Sequence, residues 1–394
     1  MSARPLRVAL VQDWLNVMRG AERVLDVFCE MFPEAPIYSL VHKKGAVSPS
    51  IEQHPIKTSF IQRLPGSQKK YRNYLPLFPT AIESFDLKGY DLVLSSSYCV
   101  AKGIIPHTGT VHVCYMHTPM RYVYEMYDDY FGPRQMGPLM RCVMPFIAAY
   151  LRQWDAASND RVDHFIANSH NVRARIWRRY RRDATVICPP VDASFFELSH
   201  RQGDYYLYVG ALVPYKRVDL AIAAAAKLGR RLVIVGDGPE RKALEKLAGP
   251  TTEFIGRQSD AQVRDWYAGC TALLFPGEED FGIVPLEAQA CGKPVIAFGR
   301  GGALETVVDG ETGVFFHEPT PESIEEAILR FERQQEQFVP LRIRRQSLRF
   351  DRPRFKKRME EFIDAVMERR AGIPDVQRRG PHLRRDRSWQ DASP

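Results

Sequence analysis

The sequence predicts an α/β fold in which two doubly wound parallel sheets face each other across a cleft. The chain has 394 residues, and because domains commonly contain about 100–200 residues, two domains are expected. Short apolar runs alternate with amphipathic stretches in two successive series. Hydrophobic residues make up 45% of the chain and charged residues 26%, which is ordinary for a globular protein and excludes disorder over most of its length.

The first series occupies the N-terminal half. Its apolar runs are rich in Val, Ile and Leu and cover residues 7–11, 91–95, 111–115 and 163–168. A polar loop with Arg19 and Gly20 follows the first run and leads into a predicted helix at residues 23–31. Continuous apolar runs bounded by turn residues are typical of parallel strands that are covered on both faces.

The second series has five apolar runs with helical stretches between them. The runs cover residues 205–210, 231–236, 253–256, 272–276 and 294–298, and two of the helices cover residues 218–228 and 260–268. Two such series in tandem indicate two Rossmann-like domains. Ligands of open α/β sheets bind outside the carboxyl ends of the strands, so we expect functional residues just after strands.

Turn-rich and basic segments mark the predicted boundaries. The first domain covers residues 1–187, the segment CPPVD opens a linker at residues 188–200, and the second domain covers residues 201–350. Residues 351–370 form a helix that packs back on the body, because their apolar side chains recur at helical spacing (Phe355, Met359, Phe362, Ile363 and Val366). Residues 371–394 contain Pro, Gly and Arg without periodicity, which indicates a basic disordered tail.

The net charge of +8 comes from the end of the chain. Beyond residue 341 there are 16 Lys and Arg against 8 Asp and Glu, and 16 minus 8 is the excess of the whole chain. Such a tail attracts an anionic membrane or nucleic acid. A solvated tail without a partner explains the excess positive charge equally well. No nucleic-acid-binding motif accompanies the tail, so nucleic acid is not an expected partner.

The cysteine pattern and hydropathy indicate the compartment. Seven cysteines without a CxxC pair argue against a disulfide framework, and no apolar stretch approaches the ~18–20 residues of a spanning helix. We therefore expect a cytoplasmic protein. Residues 60–75 and 140–152 place Lys and Arg beside aromatic residues, which suits peripheral contact with anionic lipid head groups at the inner face of the membrane. Amphipathic helices that pack on their own sheet explain both stretches about as well.

The strongest chemical signal is the segment GEEDFGIVPLE at residues 277–287. It follows an apolar run directly and opens a helix. Gly282 permits close approach of a ligand, and free amides at a helix start can hold a diphosphate. Glu279 and Glu287 can accept hydrogen bonds from sugar hydroxyls. The alternative is a helix whose nearby acids merely interact favourably with its macrodipole.

Three further residues follow predicted strands. Lys216 can neutralise a leaving diphosphate, although a surface lysine is the alternative. His117 lies just past the run at 111–115 and is held by a turn before proline; most single histidines are structural. Gly20 permits a tight turn between the first strand and its helix.

Several enzyme classes are excluded. The segment GDGP at residues 236–239 is not a dinucleotide-binding fingerprint. Histidine and cysteine do not occur at zinc-ligand spacing, and no GxSxG segment is present. We predict neither a metal site nor a cofactor.

The segment EDFGIVPLE resembles the E-x7-E signature of the family 4 retaining glycosyltransferases, which have the GT-B fold. YVGALVPYKRVDLAI and RLVIVGDGPE extend the likeness through the C-terminal half, and RGAERVL, HTPMRY and FIANS extend it through the N-terminal half, from about residue 6 to residue 370. The block HTPMRY, with Tyr124 and Glu125 nearby, resembles the corresponding block of mannosyltransferases of bacterial surface-polysaccharide assembly.

The resemblance implies roles for these residues. Residues 201–350 would bind a sugar nucleotide, and residues 1–187 would face the acceptor. Glu279 would contact the donor sugar, Glu287 the ribose, and His117 the sugar from the acceptor side, while the loop of Gly20 would lie near the donor phosphates. The backbone amides at the phosphates would be those of Phe281, Gly282, Ile283 and Val284.

The sequence departs from the family pattern at two places. The family usually has an arginine immediately after the strand glycine, where this chain has Ala211, and Arg217 is the predicted compensation. Many relatives have two glycines in the first loop, and this chain has Arg19 in place of the first.

The predicted function is a retaining, metal-independent transferase with His117, Lys216 and Glu279 as catalytic residues. It would move a hexose, mannose from GDP-mannose, onto a glycan or lipid-linked oligosaccharide in polysaccharide biosynthesis. One alternative is a UDP-hexose-dependent enzyme with a soluble acceptor. Another is a non-catalytic GT-B binding module, against which the intact Glu279, Glu287 and Lys216 argue.

Overall fold

The protein has two parallel sheets, one in each half of the chain. A computed structural model describes residues 6–132, 136–201 and 203–371. The sheets have seven and six strands, and every pairing within them is parallel, which confirms the predicted fold class. The predicted disordered tail lies outside the described residues except for Ala371, where the last helix ends.

The N-terminal sheet has the strand order β3-β2-β1-β4-β5-β6-β7. Its strands are β1 (Val8–Gln12), β2 (Ile37–Ser39), β3 (Ile56–Thr58), β4 (Leu92–Ser97), β5 (Val111–Met116), β6 (His164–Ala167) and β7 (Ala184–Val186). The α-helices of this half are α1 (Gly20–Met31), α2 (Pro49–Glu52), α3 (Ser67–Lys70), α4 (Phe78–Glu83), α5 (Arg121–Tyr124), α6 (Tyr127–Phe131), α7 (Pro138–Ala157) and α8 (His170–Tyr180).

The C-terminal sheet has the order β10-β9-β8-β11-β12-β13. Its strands are β8 (Tyr205–Val209), β9 (Arg231–Val235), β10 (Thr252–Gly256), β11 (Ala272–Phe275), β12 (Val295–Phe298) and β13 (Gly313–Phe316). The helices of this half are α9 (Val218–Lys227), α10 (Arg241–Leu247), α11 (Asp260–Gly269), α12 (Ile283–Ala290), α13 (Ala303–Thr306), α14 (Pro321–Arg333), α15 (Pro340–Ser347) and α16 (Arg352–Ala371).

Helix α16 follows the second sheet in the chain but packs against the first. Its residues Phe355, Met359, Ile363 and Val366 are buried in the core that contains β1, β4 and α1. The rings of Phe355 and Phe28 on α1 are stacked with centroids 6.0 Å apart. Burying apolar side chains contributes roughly 1.5–3 kcal/mol each, so this helix fastens the end of the chain to the N-terminal half.

Strand order changes direction at one place in each sheet. In the first sheet this place lies between β1 and β4, and in the second it lies between β8 and β11. Loops leaving the two strands on either side of such a switch point diverge and open a crevice. The loops after these four strands and after β5 provide most of the residues described next.

Candidate active site

A cavity of about 460 Å³ lies between the two halves of the chain. The walls contain eight of the predicted site residues, namely Gly20, His117, Lys216, Glu279, Phe281, Gly282, Ile283 and Val284. The same walls contain charged and aromatic residues that the sequence did not single out for catalysis, among them Arg19, Glu22, Arg72, Tyr98, Arg121 and Tyr215. The structure thus brings together residues that are more than 250 positions apart in the chain.

The turn between β11 and α12 is shaped by two glycines. Gly282 precedes α12 with a φ of 95°, a left-handed conformation that side chains disfavour. Gly302 lies against the turn from behind, since a Cβ atom there would be 2.2 Å from the Cα of Phe281. The amide of Gly302 also donates a hydrogen bond of 2.8 Å to the carbonyl of Glu279. The turn therefore presents the first amides of α12 to the cavity in a fixed position.

Lys216 and Glu279 are in contact in the cavity wall. Lys216 ends a short 3₁₀ turn, Pro214–Lys216, that follows β8, and its ammonium group forms an ion pair with the Glu279 carboxylate. Burial lowers the pKa of Lys216 to about 7, and the positive charge of Arg121 acts in the same direction. An anionic ligand beside Lys216 would favour the protonated, positively charged form of its side chain, and that charge would in turn attract the ligand.

His117 lies after β5 on the opposite wall. Its Nε2 and the Oγ of Ser96 are 2.8 Å apart, and its backbone carbonyl accepts a hydrogen bond of 2.9 Å from Asn168. Burial lowers the pKa of His117 to about 3, so the imidazole is neutral near pH 7. A neutral imidazole can exchange hydrogen bonds with a sugar hydroxyl, but it carries no charge for the phosphates.

Glu22 is a buried carboxylate on the same wall as His117. It lies in the first turn of α1, and its Oε1 accepts hydrogen bonds from Gln12 at 3.1 Å and from the Tyr98 hydroxyl at 3.2 Å. Burial raises the pKa of Glu22 to about 7. The sequence pattern RGAERVL does not predict a role for Glu22, because its contact with Tyr98, which follows β4, depends on the order of the strands in the sheet.

Arg217 and Glu287 lie outside the walls of the large cavity. The guanidinium of Arg217 forms an ion pair with Asp219 at 3.2 Å and is therefore engaged elsewhere. Glu287 faces a smaller cavity of about 190 Å³ that Arg23 and Asp260 also line. Its Oε2 accepts a hydrogen bond of 2.9 Å from the Tyr267 hydroxyl, and burial raises its pKa.

The two halves of the chain are joined by polar contacts next to the cavity. The carboxylate of Asp280 contacts Arg175 of α8 and lies 3.2 Å from Arg121. The carbonyl of Asp280 accepts a hydrogen bond of 2.7 Å from Ser169. The carboxylate of Glu305 accepts hydrogen bonds from the first amides of α8 at 2.9 and 3.0 Å, where the positive end of the helix dipole favours an anion.

The described residues contain neither a cluster of metal-ligating side chains nor a membrane-spanning helix. Within residues 6–132, 136–201 and 203–371, no group of three or more His, Cys, Asp or Glu side chains is arranged to hold a metal ion. No helix in the same ranges is long and apolar enough to cross a membrane. All seven cysteines are described, and each is a free thiol.

The fold and the site define a two-domain α/β protein of the GT-B class. Residues 18–195 match the family model described as "Glycosyltransferase Family 4", and residues 192–345 match that described as "Glycosyl transferases group 1". The two matches meet at the linker. The chain therefore carries a glycosyltransferase family 4 domain followed by a glycosyltransferase group 1 domain, and the resemblance to this family is confirmed at that level.

Comparison with known proteins gives the same assignment. The chain is 33% identical over 174 residues to an uncharacterised glycosyltransferase of Methanocaldococcus jannaschii (42% of this chain, 49% of the relative). It is 34% identical over 183 residues to a D-inositol 3-phosphate glycosyltransferase of Frankia alni (38% of this chain, 45% of the relative). The matches thus span about half the length of these curated relatives. The structure of Anabaena HepE in complex with UDP and glucose superposes with a TM-score of 0.67 at 18% identity, covering 91% of this chain and all of the other.

Proposed function

We propose that this protein is a retaining glycosyltransferase that moves a hexose from a sugar nucleotide to a glycan or a lipid-linked oligosaccharide. One observation carries the proposal: Lys216, Glu279, His117 and the start of α12 all line one cavity between the two domains. A lysine and free helix amides suit a diphosphate, whereas the Glu279 carboxylate and the neutral His117 suit hydroxyl groups. The site therefore combines the groups that a sugar diphosphate needs.

The proposed reaction uses little acid–base chemistry from side chains. The bond between the anomeric carbon and the diphosphate oxygen breaks, and the new bond to the acceptor oxygen forms on the same face. The departing phosphate oxygen takes the proton of the acceptor hydroxyl. Lys216 and the α12 amides stabilise the negative charge that develops on the diphosphate, and Glu279 positions the sugar. No covalent intermediate is invoked.

The proposed donor is GDP-mannose, on the basis of the HTPMRY block that contains His117 and Arg121. A UDP-hexose is the second candidate, because a solved neighbour of the same fold was crystallised with UDP and glucose. A panel of sugar nucleotides, each measured by thermal shift and by donor hydrolysis or transfer, tests the proposal. GDP-mannose should give the largest shift and turnover. If no sugar nucleotide stabilises the protein and none serves as its donor, the protein would be a non-catalytic module.

We further propose that the reaction needs no divalent cation, because Lys216 and the surrounding arginines supply positive charge to the phosphates. Activity should therefore be unchanged after dialysis against EDTA. Complete loss that Mn²⁺ or Mg²⁺ restores would contradict this part of the mechanism. Stereochemistry is checked separately by NMR of the product, in which the anomeric configuration of the donor should be retained.

The proposed site of peripheral membrane contact is the outer face of α7. Its side chains Leu139, Val143, Phe146 and Tyr150 are exposed and recur every three or four residues, so they form one apolar stripe; Leu139 is 81% and Phe146 77% exposed. The other predicted stretch supports contact less well, since Tyr71 is buried and packs 4.9 Å from the ring of Trp14.

Co-sedimentation with anionic vesicles tests this contact. The double substitution Leu139→Glu/Phe146→Glu should abolish binding at low salt, because it places two charges in the apolar stripe. Leu247→Glu, at an exposed apolar position on α10 of the C-terminal half, is the control and should bind like the wild type. If the wild type stays in the supernatant, a soluble acceptor becomes the preferred substrate.

A further inference from the structure

The C-terminal half provides little positive charge of its own for a diphosphate. Ala211 follows the strand glycine, and the guanidinium of Arg217 is paired with Asp219. Among the described residues, four Lys and Arg line the large cavity. Of these, only Lys216 belongs to the C-terminal half, and Arg19, Arg72 and Arg121 belong to the N-terminal half. Lys216 is itself in contact with Glu279. A ligand with two phosphates would therefore need a second cation from across the cleft.

Arg121 is the best enclosed of the three arginines. Its side chain is 11% exposed, whereas Arg19 and Arg72 are exposed residues. Its guanidinium carbon lies 5.3 Å from the ring centre of Tyr215, and the Lys216 ammonium lies 5.9 Å from the same ring centre. Arg121 and Lys216 thus approach one aromatic ring from the two halves of the chain.

Arg121 also has unused hydrogen-bonding capacity. Its Nη1 lies 3.2 Å from the Oδ2 of Asp280 but forms no hydrogen bond with it, and this buried nitrogen has no hydrogen-bond partner among the described residues. Asp280 is already engaged by Arg175. A buried donor without an acceptor is costly, and a phosphate oxygen is the acceptor that a guanidinium binds best.

We propose that Arg121 binds the diphosphate of the donor together with Lys216 and so supplies from the acceptor domain the cation that Ala211 does not. The inference rests on the proposed function, because it assumes a sugar nucleotide in the large cavity. It makes the diphosphate a bridge between the domains. An arginine held over an aromatic ring keeps a fixed orientation, whereas a lysine at this position would keep the charge and lose the two-pronged contact.

Calorimetric titration of GDP, GMP and guanosine, and of UDP, UMP and uridine, into the full-length protein tests this. Arg121→Ala should weaken binding of the diphosphate by about tenfold to a hundredfold, weaken binding of the monophosphate less, and leave binding of the nucleoside unchanged. Arg121→Lys should give an intermediate loss for the diphosphate. Equal losses for all three ligands would mean a general distortion of the site and would overturn the proposal.

Arg175→Ala is the matched control. Arg175 also contacts Asp280 but does not line the cavity. Its substitution therefore removes an ion pair of Asp280 but no cation that could contact the bound ligand. Arg175→Ala should leave the ratio of diphosphate to nucleoside affinity as in the wild type. If it reproduces the Arg121→Ala pattern, Arg121 acts only through Asp280 and the proposal fails. If wild-type protein binds neither GDP nor UDP, the proposed function itself fails and this inference with it.

Discussion

Replacing Glu287 with glutamine removes one negative charge and keeps the size of the side chain. Glu287 is 6% exposed, and its Oε2 accepts a hydrogen bond of 2.9 Å from the Tyr267 hydroxyl. Glutamine can still accept that bond. The substitution therefore keeps the packing of α12. It weakens the attraction between Glu287 and Arg23 and the hydrogen bonds that a ribose diol would donate to the carboxylate. If Glu287 holds the ribose, the effect should appear in nucleotide affinity.

The magnitude follows from the charge of the acceptor. A hydrogen bond to a charged group contributes about 1.5–3 kcal/mol and one to a neutral group about 0.5–1.5 kcal/mol. Replacing the first by the second costs about 1–1.5 kcal/mol, which corresponds to a loss in affinity of roughly 5–13-fold. Glu325→Gln is a matched control, because Glu325 is a similarly buried acid of the same domain on α14 and is paired with Lys227. That variant should bind nucleoside diphosphate like the wild type.

The assay is a thermodynamic cycle that compares the binding affinities of two proteins for two ligands. Wild type and Glu287→Gln are each titrated calorimetrically with a nucleoside diphosphate and with its 2′,3′-dideoxy analogue. If the carboxylate binds the diol, the dideoxy analogue should bind the wild type more weakly than the normal ligand does. Glu287→Gln should then reduce affinity for the normal ligand much more than affinity for the dideoxy analogue. Losses that add up, or an unchanged affinity of Glu287→Gln for the normal ligand, would refute the assignment of Glu287 to the ribose.

The remaining predictions concern the turn and the acceptor-side wall. Glu279→Gln should lower turnover more than nucleoside diphosphate affinity, measured as kcat against Kd, because its proposed contact is the sugar. Gly302→Ala should destabilise the protein by about 1–3 kcal/mol and lower its Tm, because the new Cβ meets the backbone of Phe281, whereas Gly249→Ala, with nothing within 4 Å, should be nearly neutral. Burial raises the pKa of Glu22 from 4.5 to about 7, so folding loses stability as the pH rises through this window. Glu22→Gln removes that loss, and its Tm should fall less than that of the wild type between pH 5 and pH 8.

The long strands were predictable because their burial on both faces leaves a continuous apolar run. The run at residues 205–210 is β8, and the run at 111–115 is β5, each within one residue. The short strands β2, β3 and β7 have three residues each, too few to show a continuous apolar run. These segments are recognisable as strands by their pairing with neighbouring strands, and a local sequence pattern does not contain that information.

The site was predictable to the extent that it follows the carboxyl ends of strands. His117, Lys216 and Glu279 come just after β5, β8 and β11, and the structure places all three in one cavity. The position of Glu287 beside a second cavity was not predictable, since it depends on how α12 packs against α11. Arg121 follows β5 as well, and the same rule applied to the whole HTPMRY block would have found it.

A single dipeptide links the donor turn to the acceptor domain. Glu279 contacts Lys216 within the C-terminal half, and the next residue, Asp280, contacts Arg175 and lies near Arg121 of the N-terminal half. Exposed ion pairs contribute little to stability. The Asp280 side chain, however, is largely buried, and the Asp280 carbonyl also accepts a hydrogen bond from Ser169. Because the two residues are adjacent, a rotation between the domains would either break the contacts of Asp280 or displace Glu279 from Lys216. If Glu279 contacts the donor sugar as proposed, the relative position of the two domains would therefore also set the position of that sugar.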